Sequence, residues 1–102
     1  MLFAIKLRYI GPNEDIQSHL DAHKAWLVKY TKAGNILVAG PVPQGDAGFV
    51  LAHADDLAVI QSMIAEDPFD IHRLATFEID ACDPALRAAD FPARGAGAAK
   101  PI

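Results

Sequence analysis

The spacing of apolar and polar residues along the chain predicts six secondary-structure elements within residues 1–82. Partial alternation over 2–9 predicts a first strand. A helical period over 14–33 predicts a long helix, with Asn13 as its N-cap and Gly34-Asn35 as its stop. Further runs predict a strand, a strand, a helix and a strand, at 35–41, 49–54, 55–67 and 72–81.

The order of these elements is β-α-β-β-α-β, which is typical of an α+β, ferredoxin-like fold with two helices on one face of a four-stranded antiparallel sheet. The apolar stripe of the first helix consists of Ile16, Leu20, Leu27 and Tyr30. The second helix is expected to begin with Asp55 or Asp56 as its N-cap, and its apolar stripe consists of Leu57, Ile60, Met63 and Ile64. No further element is long enough to cover the other sheet face, so we expect a homodimer that packs sheet against sheet, as in dimeric α/β barrels.

Length and composition narrow the possible functions. The 102 residues fit one domain, and the 52% hydrophobic content is enough for one core. The formal net charge of −4, with nine scattered basic residues, argues against a nucleic-acid partner. A single cysteine, Cys82, permits no internal disulfide and no cysteine-based zinc cage, which favours a reducing compartment. No apolar run approaches the ~20 residues of a membrane span, so we expect a soluble, cytoplasmic protein without a membrane partner.

The composition changes after residue 82. Residues 83–91 are compatible with one short helix, and residues 92–102 are rich in Ala, Gly and Pro. We therefore predict a domain over 1–82 and a C-terminal extension over 83–102 that is mobile or contacts the partner subunit.

His23 is the unusual residue of the first helix, because it lies three positions after Leu20 and four before Leu27, on the apolar side. Burial of an unpaired imidazole costs a few kcal/mol, so His23 requires a partner. That partner is either a backbone carbonyl, as for a core histidine, or the carboxylate of Asp67. Asp67 precedes Pro68, which also suits an N-cap. Both interpretations stay open from spacing alone.

A metal site is not expected, since His53 and His72 match no ligand spacing with His23.

Three motifs in order resemble the YciI-like (YCII-related) family over about residues 1–81. They are a histidine on the first helix, AGP at 39–41 and DPF at 67–69. The resemblance implies a dimeric ferredoxin-like fold and a His–Asp pair in a small cleft, which by position are His23 and Asp67. This chain departs from the family at His72-Arg73, where many members have a glycine, and lacks the usual PF ending.

The resemblance implies an enzyme that acts on a small molecule without a cofactor or metal. His23 would transfer a proton, with Asp67 fixing its tautomer, in a lyase, isomerase or dehydrochlorinase reaction on a cyclic or aromatic substrate. The expected substrate-binding residues are Arg8, Trp26, Gly40, Pro41 and Phe69. Two alternatives are a non-catalytic dimeric ligand-binding or regulatory module, and a cofactor-independent monooxygenase of related fold.

Overall fold

A four-stranded antiparallel sheet forms the centre of the computed structural model, which describes all 102 residues. Its strands are β1 (Leu2–Tyr9), β2 (Ile36–Pro41), β3 (Ala47–His53) and β4 (Ala75–Cys82), in the order β2-β3-β1-β4. The main helices are α1 (Asn13–Lys32) and α2 (Leu57–Ile64), and a short helix α3 (Pro68–Ile71) follows α2. The predicted α+β, ferredoxin-like arrangement is confirmed.

The core lies between the sheet and the helices, because alternate residues of β1 point to that side. Phe3, Ile5 and Leu7 are at most 2% exposed, and β3 lies beside them in antiparallel register. The buried apolar residues of α1 and α2 that complete the core are Trp26, Ile60, Met63 and Ile64. The prediction that Leu57 belongs to this stripe is wrong. Leu57 is the first residue of α2 and lies at the end of the helix, 44% exposed.

The helix ends differ in part from the prediction. Asn13 is not the N-cap of α1. Pro12, with φ −58° and ψ 143°, precedes the helix, and no side chain caps it. Because Asn13 is already helical, its side chain cannot cap the helix from inside the first turn. The stop at Gly34 is confirmed by its φ of +90°, and Asp56 caps α2 by accepting a hydrogen bond from Val59 N at 3.2 Å. No helix combines the length and apolar character needed to cross a bilayer.

Strand β4 begins at Ala75 rather than at residue 72, because α3 and a turn occupy the preceding residues. Arg73, in this turn, has a φ of +55° and is the only non-glycine residue with positive φ. The turn aims the carbonyl of Leu74 at Ile10 N and Gly11 N, at 2.9 and 3.4 Å, and so ties the β1–α1 loop to the start of β4. Glycine adopts this left-handed conformation at lower cost than arginine does.

We expect Arg73→Gly to raise the free energy of unfolding by about 0.5–1 kcal/mol. The left-handed conformation costs a non-glycine residue about 1–2 kcal/mol, and glycine avoids this cost. Glycine also has greater conformational freedom in the unfolded chain, which reduces the gain by about 0.5–1 kcal/mol. Urea unfolding of both proteins measures the difference. Arg73→Ala is the matched control, because it removes the same side chain without relieving the backbone. A glycine variant no more stable than the alanine variant would contradict the prediction.

The C-terminal residues fold back on the same chain. They contain β5 (Leu86–Arg87), α4 (Ala93–Ala96) and β6 (Lys100–Pro101), and β5 pairs with β6 in parallel. The short helix therefore lies after Pro92 and not within 83–91. Gly95 is buried so closely against β2 that an added Cβ would lie 2.7 Å from Leu37 Cδ1. Contact of this extension with a partner subunit stays a prediction.

The sheet face opposite the helices carries exposed apolar side chains. Val38 of β2 is 54% exposed and Phe49 of β3 is 40% exposed. These are the positions that a second sheet would cover, and homodimerisation through this face stays a prediction.

Candidate active site

His23 and Asp67, 44 positions apart in the sequence, form a buried hydrogen-bonded pair. His23 Nδ1 lies 2.8 Å from Asp67 Oδ1, and the two residues are 6% and 0% exposed. Helix α1 presents His23 inward because it shares the side of Leu20 and Leu27. Asp67 stands between α2 and α3 as the N-cap of α3, where Oδ1 also accepts a hydrogen bond from Phe69 N at 3.0 Å. Asp67 therefore acts as a cap and as the histidine's partner at once.

The pair determines which nitrogen of the neutral His23 ring carries the proton. A carboxylate only accepts hydrogen bonds, so Nδ1 carries the proton that Asp67 Oδ1 accepts. Nε2 is then an unprotonated acceptor. It has no hydrogen bond within the chain, and it is not among the buried atoms that lack a partner, so it retains accessible surface. His23 thus presents a basic nitrogen to the space beside α1.

Aromatic rings hold the imidazole in this orientation. The Phe69 ring stacks on His23 with centroids 4.1 Å apart and planes 4° apart. Trp26 also lies nearly parallel to His23, at 5.8 Å and 24°, and its Nε1 donates a hydrogen bond to Met63 O at 2.9 Å. With a carboxylate at one nitrogen and a ring against its face, the imidazole is constrained before any ligand arrives.

A cavity of about 260 Å³ lies between α1 and the part of the sheet next to the β2–β3 hairpin. Its lining residues are Leu7, Tyr9, Leu20, His23, Lys24, Leu27, Ala39, Gly40, Pro41, Gly48, Phe49 and Val50. Most of these are apolar, and the ionisable groups among them are Tyr9, His23 and Lys24. The basic nitrogen of the pair therefore belongs to a hollow of ligand size with a mainly apolar wall.

The expected substrate-binding residues fall into three places. Gly40 and Pro41 line the cavity. Trp26 and Phe69 do not line it, since they pack around the His23 ring from within the core. Arg8 does not line it either. It lies on the opposite sheet face, where its Nε pairs with Glu78 Oε1 at 3.1 Å.

Histidines other than His23 form no metal centre, and no three His, Cys, Asp or Glu side chains are placed to hold an ion. His72 instead lies against His19, with ring centroids 4.0 Å apart and planes tilted by 37°.

Tyr9 and Lys24 line the cavity although the sequence did not single them out. Tyr9 ends the inward face of β1, and its hydroxyl has no hydrogen bond within the chain. Burial, and secondarily the negative charge of Asp67, raise the pKa of Tyr9 above its usual range, so the phenol stays a donor at neutral pH. A polar tip on an otherwise apolar strand face was the available signal for Tyr9. Lys24 offered no signal beyond its place next to His23.

The sequence profile of the YCII-related domain family matches residues 1–78. The chain belongs to this family. The resemblance stated from the residues is thereby confirmed, and the matched range contains both members of the His–Asp pair. No curated protein sequence matches this YCII-related protein.

Two solved structures resemble this YCII-related protein. One is 5-chloro-2-hydroxyhydroquinone dehydrochlorinase from Burkholderia phenoliruptrix, in complex with 2,5-dihydroxybenzoquinone. It is 23% identical with a TM-score of 0.65, over 82% of this chain and 95% of that one. The other is a candidate antibiotic biosynthesis monooxygenase from Deinococcus radiodurans, 13% identical with a TM-score of 0.49, over 86% of this chain and 98% of that one. The first likeness supports the same fold.

Proposed function

We propose that this YCII-related protein is a cofactor-independent enzyme that transfers a proton on a small molecule, as a lyase, isomerase or dehydrochlorinase does. The observation that carries the proposal is the His23–Asp67 hydrogen bond of 2.8 Å at the wall of the cavity. A general base requires an acceptor nitrogen, a fixed orientation and access to the substrate. His23 Nε2 meets all three requirements.

In the proposed reaction His23 Nε2 removes a proton from the bound molecule and becomes part of an imidazolium. Asp67 stabilises that cation: its Oδ1 accepts from Nδ1–H, and its Oδ2 is buried without a hydrogen bond within the chain. In an isomerisation the same proton returns to another atom of the substrate. In an elimination the electron pair of the broken C–H bond forms a double bond, and the leaving group, such as chloride, departs with its own pair.

Tyr9 is the proposed hydrogen-bond donor. Its hydroxyl reaches the cavity from the sheet while His23 reaches it from α1, so both contact a ligand held between them. Proton removal next to a carbonyl or phenol leaves negative charge on oxygen, and a neutral phenol placed there stabilises it. Gly48, which also lines the cavity, lies next to this group, since an added Cβ there would be 3.4 Å from the Tyr9 hydroxyl.

The dehydrochlorinase from Burkholderia phenoliruptrix offers one concrete version of the proposal, in which the leaving group is chloride. That likeness supports the fold, and an activity assay is needed to distinguish elimination from isomerisation.

A screen of hydroxylated and halogenated aromatics and small lactones, read by mass spectrometry and chloride release, tests the proposal. We expect turnover by the wild type, near-complete loss in His23→Asn, and a roughly 10²-fold lower kcat in Tyr9→Phe, since one donor to a developing oxyanion is worth about that much. Tyr9→Phe should unfold at the same urea concentration as the wild type. A ligand that stays bound and unchanged over time would instead favour the non-catalytic binding module.

We also propose that the active form is a cytoplasmic homodimer. The exposed Val38 and Phe49 on the open sheet face support the dimer, and the exposed single thiol of Cys82 suits a reducing compartment. Sedimentation at the mass of one 10.9 kDa chain would contradict the dimer.

A further inference from the structure

The only full charge in the cavity lining is positive. Lys24 is the only fully charged residue in its lining, and no aspartate or glutamate lines it. The Lys24 side chain is exposed and takes part in none of the ion pairs of the chain. An unpaired ammonium group therefore stands at the mouth of an otherwise uncharged wall.

The interior of the cavity favours an apolar ring over a permanently charged group. Its volume of about 260 Å³ exceeds the ~150 Å³ that suffices for benzene, which leaves room for a substituted six-membered ring. Leu20, Leu27 and Val50 supply apolar walls, against which a desolvated charge is costly. The carboxylate of Asp67, behind His23, repels a negative group at the inner end.

We infer that the cavity selects a small cyclic monoanion, a carboxylate or phenolate, that enters ring first and leaves its anionic group at the mouth on Lys24. The inference rests on the proposed function in using the same cavity. It deepens that function by naming the substrate class and its orientation. With the anion held outward, the inner end of the ring meets His23 Nε2 and the Tyr9 hydroxyl. Lys24 thereby becomes the basic substrate-binding residue in place of Arg8, which was expected from the sequence to bind the substrate.

Benzoate and benzamide are matched probes, because they share size and shape and differ in charge. Isothermal titration calorimetry at low salt measures the affinities of both probes for the wild type and for the variants Lys24→Gln and Lys24→Arg. We expect the wild type to prefer benzoate by about fivefold, as suits one largely exposed ion pair. The ratio should fall to about one in Lys24→Gln and be retained in Lys24→Arg. Lys32→Gln makes the same charge change at the far end of α1, away from the cavity, and should keep the preference.

Equal affinity of the wild type for both probes, no saturable benzoate binding, or a preference that survives Lys24→Gln would each overturn the inference. Repeating the titrations in His23→Asn separates this result from that of the proposed function. Charge selection persists in that variant if Lys24 is responsible, whether or not the protein catalyses a reaction. If His23→Asn lost turnover but the wild type bound benzoate and benzamide equally well, the proposed enzymatic function would be supported and the proposed substrate class would be refuted.

Discussion

Replacing His23 with asparagine is expected to lower kcat/KM by about 10²–10⁴-fold, the usual contribution of a positioned general base. Asparagine keeps a polar group beside Asp67 but has no basic nitrogen, so the variant cannot accept the substrate's proton. His23 is 6% exposed, and the smaller side chain leaves part of its space against Phe69 unfilled. A modest loss of stability is therefore expected as well, and turnover should be compared at temperatures where both proteins are folded.

His19→Asn is the matched control for this experiment. His19 lies one turn earlier on α1, is half-buried and does not line the cavity, and its Nδ1 contacts Ser18 Oγ and the Asp15 carbonyl. The same substitution there should leave kcat and KM within a factor of about two, since His19 contributes nothing to the cavity wall and does not contact Asp67. Steady-state kinetics and circular dichroism on both variants give the comparison. Turnover in His23→Asn close to that of His19→Asn would refute the base.

Replacing Asp67 with alanine is expected to cost about 2–4 kcal/mol of unfolding free energy. The substitution removes the N-cap of α3, worth about 1 kcal/mol. It also leaves the buried Nδ1–H of His23 without its acceptor, which costs about 1–3 kcal/mol. Asp67 is 0% exposed, so water does not readily replace the carboxylate. Urea unfolding monitored by Trp26 fluorescence measures the loss.

Asp56→Ala separates the two contributions. Asp56 caps α2 by the same kind of bond, to Val59 N at 3.2 Å, but is exposed and pairs with no histidine. Its loss should cost only about 1 kcal/mol, so the excess in Asp67→Ala reports the bond to His23. Asp67→Asn, which retains an acceptor oxygen, should lie between wild type and Asp67→Ala. If Asp67→Ala cost no more than Asp56→Ala, the buried pair would contribute nothing to folding.

The order of elements could be predicted because each main segment carries its own period. Phe3, Ile5 and Leu7 alternate, and the stripe containing Ile60 and Met63 repeats at helical spacing. Periodicity also indicated that His23 points inward, but not what it meets. Spacing left Asp67 as a cap or as a partner, and only the packing of α1 against α3 reveals that it is both. The family resemblance, and not local chemistry, singled out the pair.

Contacts between distant segments account for what the sequence missed. Arg8 alternates with Tyr9 along β1, so the two point to opposite faces, and the tyrosine is the one that reaches the cavity. Lys24 lines the cavity only because the end of the sheet next to the β2–β3 hairpin faces it across a hollow. Gly95 packs closely against Leu37 because the chain folds back toward β2 after β4. The periodicity of the local sequence does not predict this contact.

One carboxylate oxygen, Asp67 Oδ1, starts a helix and orients an imidazole. Any attempt to retune the proposed base through this residue therefore also alters a folding contact, and a gain in reactivity would be accompanied by a change in folding stability. A wall position such as Ala39, which is exposed and lies outside the core, is free of that conflict. Laboratory evolution toward new substrates should begin there, with the His23–Asp67 pair left untouched.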